Sequence, residues 1–253
     1  MIKAIFFDID GTLVSFKTHR MSENLKEKLH ELQAKGVKLF ISSGRARLVM
    51  NNLDGFPFDG YVAMNGAETT LGSEVIDSHP LPKATSLQVA EIAEREKVSC
   101  WVFADNVAGI NHASPQAMEI AEMINLRPPC FLDLRQVAEN HTVYEYTIFF
   151  DDEQARRLLY PVLKNVSYTR WHPYFLEGLS KSYGAARILE RIGVTREECM
   201  AFGDGGNDIP IIEYAGIGVA MGNATDDVKA AADYVTDTVD EDGVVTALQR
   251  FGV

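Results

Sequence analysis

Cysteine is scarce in this chain: Cys100, Cys130 and Cys199 stand apart, with no CxxC spacing. That argues against a disulfide framework or a thiolate zinc site and makes a reducing cytoplasm the default setting. The six histidines form no HxxxH or HExxH pair and read as surface or packing residues. Long apolar runs are lacking too. Stretches such as KAIFF (3–7) and residues 37–41 are far too short to cross a bilayer. Met1 leads into an acidic cluster, without the basic and then apolar order of a secretion signal. Basic residues number 24 against 36 acidic ones, a formal charge of −12 with pI near 4.9. A nucleic-acid binder needs a basic stripe, so neither nucleic acid nor membrane is an expected partner. What remains is a globular chain of 253 residues, 46% hydrophobic and 24% charged, read as a monomer or weak homo-oligomer.

The outer thirds share one grammar. KAIFF is a buried-looking strand entering the turn DIDGT, and Ser22 opens a helix with Leu25, Leu29 and Leu32 on one face, closed by Gly36. Residues 37–42 and 60–64 are further strands, and Gly44 is expected to start another helix. Near the other end, 182–192 reads as a helix and Thr195 with Glu198 as a capping box. Residues 200–202, 216–221 and 234–236 read as strands, with an Ala-rich helix after Thr225. Strand–helix–strand alternation predicts an α/β fold, a doubly wound, Rossmann-like parallel-sheet core. The middle differs: helices over 83–96 and 116–124, a strand over 143–150, a helix begun by Asp151 and Asp152, and an aromatic strand-like stretch over 166–175. At about a hundred residues it is large enough for a domain of its own. The expected division is a core of 1–81 and 180–253 with an inserted α/β cap over 82–179.

In a parallel sheet, ligands bind beyond the carboxyl ends of the strands. Asp8 and Asp10 follow the first strand, Ser42, Ser43 and Gly44 the second, and Asp204 and Asp208 the strand at 200–202; Lys181 begins the helix leading to that last group. Residues two apart on an extended segment face the same side, roughly 7 Å apart, so Asp8 and Asp10 can serve one site. Clustered carboxylates need a cation, and their hard oxygens select magnesium over zinc or copper. The metal would also draw an anionic substrate into an acidic cleft. Ser43 and Gly44 stand at a strand end where free N–H groups favour an anion, and Lys181 adds a compact positive charge suited to phosphate. Singly, each has a plainer reading: an aspartate in DGT or GDGG as a turn residue, Ser43 as a cap, Lys181 as a surface lysine. Their joint occurrence, each at a core strand end or entering its helix, favours a site.

FFDIDGTLV (6–14), ISSGR (41–45), Lys181 and FGDGGND (202–208) together resemble the haloacid dehalogenase superfamily. Within it the whole chain is similar to Cof-like phosphatases with a large α/β (type IIB) cap, and close to hexose-phosphate phosphatases of that subgroup. The resemblance implies that Asp8 attacks phosphorus to form an aspartyl-phosphate, with Asp10 as general acid and then base. It implies magnesium held by the Asp8 carboxylate, the Asp10 carbonyl and Asp204, with Asp208 acting through water. Ser43, Gly44 and Lys181 would bind the phosphoryl oxygens, organised by Thr12 and Asn207. The cap would choose the substrate, with Arg45, Asn65 and Gly66 on the core side and Arg170, Trp171 and His172 on the cap as possible contacts. A sugar phosphate is the expected substrate; nucleotides, erythrose phosphate and pyridoxal phosphate stay open. So do phosphoryl transfer to a second sugar and a phospho-acceptor signalling role.

Overall fold

A computed structural model describes the chain except residues 124, 127–129, 151, 163–165, 169–172 and 177–178. The chain divides into two compact units, Met1–Ser78 with Ser180–Val253, and His79–Leu179. The first border falls after Ser78, not at 81/82.

The first unit runs through β1 (Ala4–Phe7), α1 (Glu23–Ala34), β2 (Lys38–Ser42), β3 (Gly60–Ala63), β4 (Glu68–Leu71) and β5 (Glu74–Ser78). The insertion follows with α2 (Lys83–Arg95), β6 (Cys100–Ala104), β7 (Ala108–Ile110), α3 (Pro115–Met123), α4 (Leu134–Asn140), β8 (Val143–Ile148), α5 (Asp152–Gln154), β9 (Val166–Tyr168) and β10 (Pro173–Leu176). The first unit resumes with α6 (Lys181–Ile192), β11 (Cys199–Gly203), α7 (Ile209–Tyr214), β12 (Ile217–Ala220), α8 (Asp226–Ala231), β13 (Tyr234–Val235) and α9 (Gly243–Arg250).

Its eight-stranded sheet has the order β13-β12-β11-β1-β2-β3-β4-β5, parallel from β13 to β3. Successive side chains of β1 point to opposite faces, and both are covered. Ile5 and Phe7 join Leu25, Leu29 and Leu32 of α1 and Val244, Val245 and Leu248 of α9. Ala4 and Phe6 join Ala185, Ile188 and Leu189 of α6 and Ile211 of α7. This two-sided burial explains the unbroken apolar run of β1 and makes the fold doubly wound. Strand order reverses between β1 and β11, so a crevice opens beyond their carboxyl ends.

One local expectation is corrected. No α-helix follows Gly44; a short 3-10 turn, Arg47–Val49, stands there. Residues 51–57, NNLDGFP, are rich in turn formers and hold no apolar stripe for a helix to bury. The parallel core sheet also carries an antiparallel edge hairpin, β4–β5, which the sequence reading did not single out. Gly72 and Ser73 form its two-residue connection, a turn signal set between β-prone threonines and valine.

In the insertion, the described strands form an antiparallel sheet, β7-β6-β8-β10-β9. One face is packed by α2 and α4, with Val89, Ala93, Leu134 and Val137 against Val102, Tyr146 and Ile148. The stretch 166–175 contains two strands, β9 and β10, and the helix at 152 is α5; Asp151 lies outside the described residues. Glu145 on β8 is 4% exposed; Oε1 accepts from the Thr147 hydroxyl at 3.4 Å and Oε2 has no partner among the described residues. Burial pushes its carboxyl up to about 8. The folded state therefore holds a proton that the unfolded chain releases near pH 4, so stability falls as pH rises from there to 8. Glu145→Gln should remove that slope: its stability should draw ahead of the wild type's between pH 5 and 9, by about 5 kcal/mol at most. A gap independent of pH would refute the assignment.

Candidate active site

Asp8 is the first residue beyond β1, its N–H bonded to the Phe202 carbonyl of β11 at 3.0 Å. The next turn is tight: the N–H groups of Leu13 and Val14 both return to the Ile9 carbonyl. Gly11 sits at φ +81, and a Cβ there would lie 2.2 Å from Asp204 Oδ2, so only glycine lets this turn close on Asp204. Asp204 follows β11. Thr12 Oγ1 donates to its Oδ1 at 3.3 Å and Asn223 Nδ2 to its Oδ2 at 3.3 Å.

Lys181 opens α6 behind the N-cap Ser180 and is fully buried. Its ammonium donates to Asp8 Oδ1 and Asp208 Oδ1, each at 2.5 Å, which leaves one of its three hydrogens for a ligand. Asp208 Oδ2 accepts the N–H groups of Asp204 and Gly205, both at 3.0 Å. Asp208 thus fixes both the GDGGND loop and the lysine. Beyond β2, Ser43 Oγ accepts the Arg45 N–H at 3.1 Å, and its hydroxyl hydrogen remains available. The backbone N–H groups of Asp10 and Gly44 have no partner among the described residues.

Asp8, Asp204 and Asp208 each place a carboxylate oxygen within 4.8 Å of the others. Burial raises the Asp8 carboxyl well above its ordinary range; Lys181 opposes the shift and Asp208, Asp204 and Asp10 add to it. Burial and then the charge of Asp208 lift Asp204 to about 7. At Lys181 burial disfavours the ammonium, but Asp208 and Asp8 outweigh it and hold the group charged. Lys181 and Arg45 answer two of the four carboxylates of Asp8, Asp10, Asp204 and Asp208. The remaining two negative charges, on hard oxygens, fit a divalent cation.

The predicted residues Asp8, Asp10, Thr12, Ser43, Gly44, Lys181, Asp204, Asn207 and Asp208 gather in this crevice, as do Arg45 and Asn65. Asn207 Nδ2 donates to Asn65 Oδ1 at 2.9 Å. Arg45, expected to meet substrate, grips Asp10 with Nε to Oδ2 at 2.6 Å and Nη2 to Oδ1 at 2.7 Å. Gly66 lies against Ser180. Arg170, Trp171 and His172 fall outside the described residues. Sequence reasoning missed Asn223, which bonds the Gly11 carbonyl at 2.9 Å as well as Asp204. Its signal was available, since it follows β12 at the same end of the sheet.

The profile of the haloacid dehalogenase-like hydrolases matches residues 5–248. The putative phosphatase YkrA of Bacillus subtilis is 32% identical over 99% of this chain and 98% of its own. The 5-amino-6-(5-phospho-D-ribitylamino)uracil phosphatase YcsE of the same organism is 31% identical, over 99% and 96%. The HAD subclass IIB sugar phosphatase BT4131 superposes with a TM-score of 0.88 at 36% identity, covering 99% of each chain. Profile, sequence and fold agree: this chain belongs to the haloacid dehalogenase-like hydrolase family, as a subclass IIB phosphatase acting on small phosphate esters.

Proposed function

We propose that the enzyme hydrolyses sugar phosphates, hexose phosphates foremost, through a phosphoryl group carried on Asp8, with magnesium as its metal. The observation that carries the mechanism is the buried Asp8 carboxylate, held by Lys181 at a sheet end where the N–H groups of Asp10 and Gly44 are also unpartnered among the described residues. An Asp8 oxygen attacks phosphorus as the bond to the leaving oxygen breaks, and Asp10 gives that oxygen its proton. Water then attacks phosphorus, passes a proton to Asp10 and releases Asp8 and inorganic phosphate. Ser43, the Gly44 N–H and the third hydrogen of Lys181 bind the phosphoryl oxygens. Thr12, Asn207 and Asp208 hold the loops that carry these groups. Asp8, Asp204 and the Asp10 carbonyl would hold the cation, with Asp208 supporting from behind. Bound there, the cation would offset phosphoryl charge.

Asp10 can give a proton only after its paired grip on Arg45 opens. Arg45 is then free to meet the leaving group, and Asn65, Gly66 and the insertion's Arg170, Trp171 and His172 are the other proposed substrate contacts. The insertion selects the substrate and excludes water. Sugar specificity draws support from likeness to BT4131; YcsE, named for a phosphorylated ribityl compound, widens the panel to test. Scarce, unpaired cysteines favour the cytoplasm as the enzyme's location.

The test is phosphate release in magnesium from hexose, erythrose, ribityl, pyridoxal and nucleotide phosphates, with and without a chelator. Repeated turnover, highest on hexose phosphates and lost on chelation, is the expected result. Turnover that survives chelation would refute the metal. Product phosphate appearing only on an added sugar acceptor would refute hydrolysis.

A further inference from the structure

Three consecutive residues after β3 have positive φ: Met64 at 48°, Asn65 at 52° and Gly66 at 98°. For glycine this is free, but a left-handed backbone costs other residues about 1–2 kcal/mol, and methionine has no polar side chain to soften it. The strain is held by tight anchoring. The Met64 N–H bonds the Arg45 carbonyl and the Asn65 N–H the Ser43 carbonyl, each at 3.1 Å. On the other side a Cβ at Gly66 would stand 2.5 Å from the carbonyl oxygen of Ser180, the cap before Lys181. The strained turn is thus wedged between the two segments assigned to phosphoryl binding.

What this backbone presents is the Asn65 carboxamide. The residue is 6% exposed, and its Oδ1 accepts from Asn207, which fixes the plane of the amide. Its Nδ2, carrying two hydrogens, has no acceptor among the described residues. That nitrogen lies 3.4 Å from where a Cβ of Gly44 would be, beside a backbone N–H that is also unpartnered. An amide held in plane with its donors unused by the protein is open to an acceptor on a ligand. Two free donors side by side, on a strained and anchored backbone, are a preorganised anion-binding pair.

The geometry points to Asn65 as a catalytic residue: Nδ2, with the Gly44 N–H, binds one non-bridging oxygen of the transferring phosphoryl group. This rests on the phosphatase reading above and departs from it in one respect, since there Asn65 was a contact for the leaving group. A phosphoryl donor acts on every substrate alike. A leaving-group contact acts on some and not others.

The experiment compares wild type and Asn65→Gly in magnesium, on an aryl phosphate with a good leaving group and on a hexose phosphate, and measures inhibition by orthovanadate. Glycine takes φ +52° without strain, so the variant should fold with an unchanged or higher thermal midpoint. Its kcat should fall by about 10²-fold on both substrates, and vanadate inhibition should weaken by a similar factor. Asn65→Asp, which keeps an acceptor for Asn207 but offers the phosphoryl group no donor, should lose as much. Activity of either variant within about three-fold of wild type overturns the assignment. So does a loss confined to one leaving group with vanadate binding intact. Wild type that releases phosphate from no ester refutes the phosphatase reading itself, before any variant is compared, and takes the assignment with it.

Discussion

Asp8→Asn should abolish turnover, by at least about 10⁴-fold, because it removes the carboxylate that accepts the phosphoryl group. The amide keeps the shape of the carboxylate but not its nucleophilicity, and Lys181 keeps its bond to Asp208. Folding should survive the change, and circular dichroism should match wild type. The sharper check is mass spectrometry of rapidly quenched reactions. Wild type should carry one added phosphoryl group on the peptide containing Asp8, and Asp10→Asn should accumulate it, because the second proton transfer is impaired. Asp8→Asn should carry none. A variant that still turns over within ten-fold of wild type would place the nucleophile elsewhere, whether on water or on Ser43.

Lys181→Met should be nearly as damaging and should act on stability as well. The methionine fills the slot but leaves Asp8 and Asp208 facing each other without the ammonium between them. Removing one partner from a fully buried ion cluster costs about 3–5 kcal/mol. The sign of the pH effect follows from the shifts. The carboxyls of Asp8 and Asp204 already sit above their unfolded values, so the folded protein takes up protons as pH falls. The variant should lose least near pH 5 and most at pH 8. Magnesium should restore part of the thermal midpoint at pH 8, and activity should fall by about 10³-fold with or without it. Lys181→Arg should not rescue, because a planar fork cannot take the place of a compact ammonium in a closed slot. A Lys181→Met protein as stable as wild type at pH 8 would refute the electrostatic account of this centre.

The parts of the fold legible in the sequence were those governed by local periodicity. Leu25, Leu29 and Leu32 marked the buried face of α1, and Ser22 caps it by accepting the Leu25 N–H. Residues after β1, β2 and β11 could be assembled into one site because a parallel sheet brings its strand ends together whatever lies between them. Lys181 was legible as a motif residue, but its burial between two aspartates is a tertiary fact that a lone lysine does not announce. Arg45 illustrates the same limit. Its type suggested a substrate contact, while its partner Asp10 is set by how the two loops meet. The strand β6 escaped notice although its sequence, CWVFA, is apolar and aromatic throughout. A run of that length fits a buried helix segment as well as a strand. The helix expected after Gly44 failed for the converse reason: the strand–helix alternation suggested it, but no apolar stripe was there to hold it.

The place of β1 in the sheet bears on how the chain reaches this structure. Ala4 is paired with Lys38 on one side and with Cys199 on the other. During synthesis the first strand waits, one edge open, until the ribosome has delivered Cys199 and the rest of β11. Its four apolar residues, AIFF, are then a sticky edge in a nascent chain. The insertion, with its own apolar core, is complete well before Cys199 emerges and can become compact first. A compact insertion draws its two ends together and lowers the entropy cost of bringing β11 to β1. Refolding of the whole chain should therefore be slow, limited by that late pairing, and helped by chaperones that shield β1 in the interval.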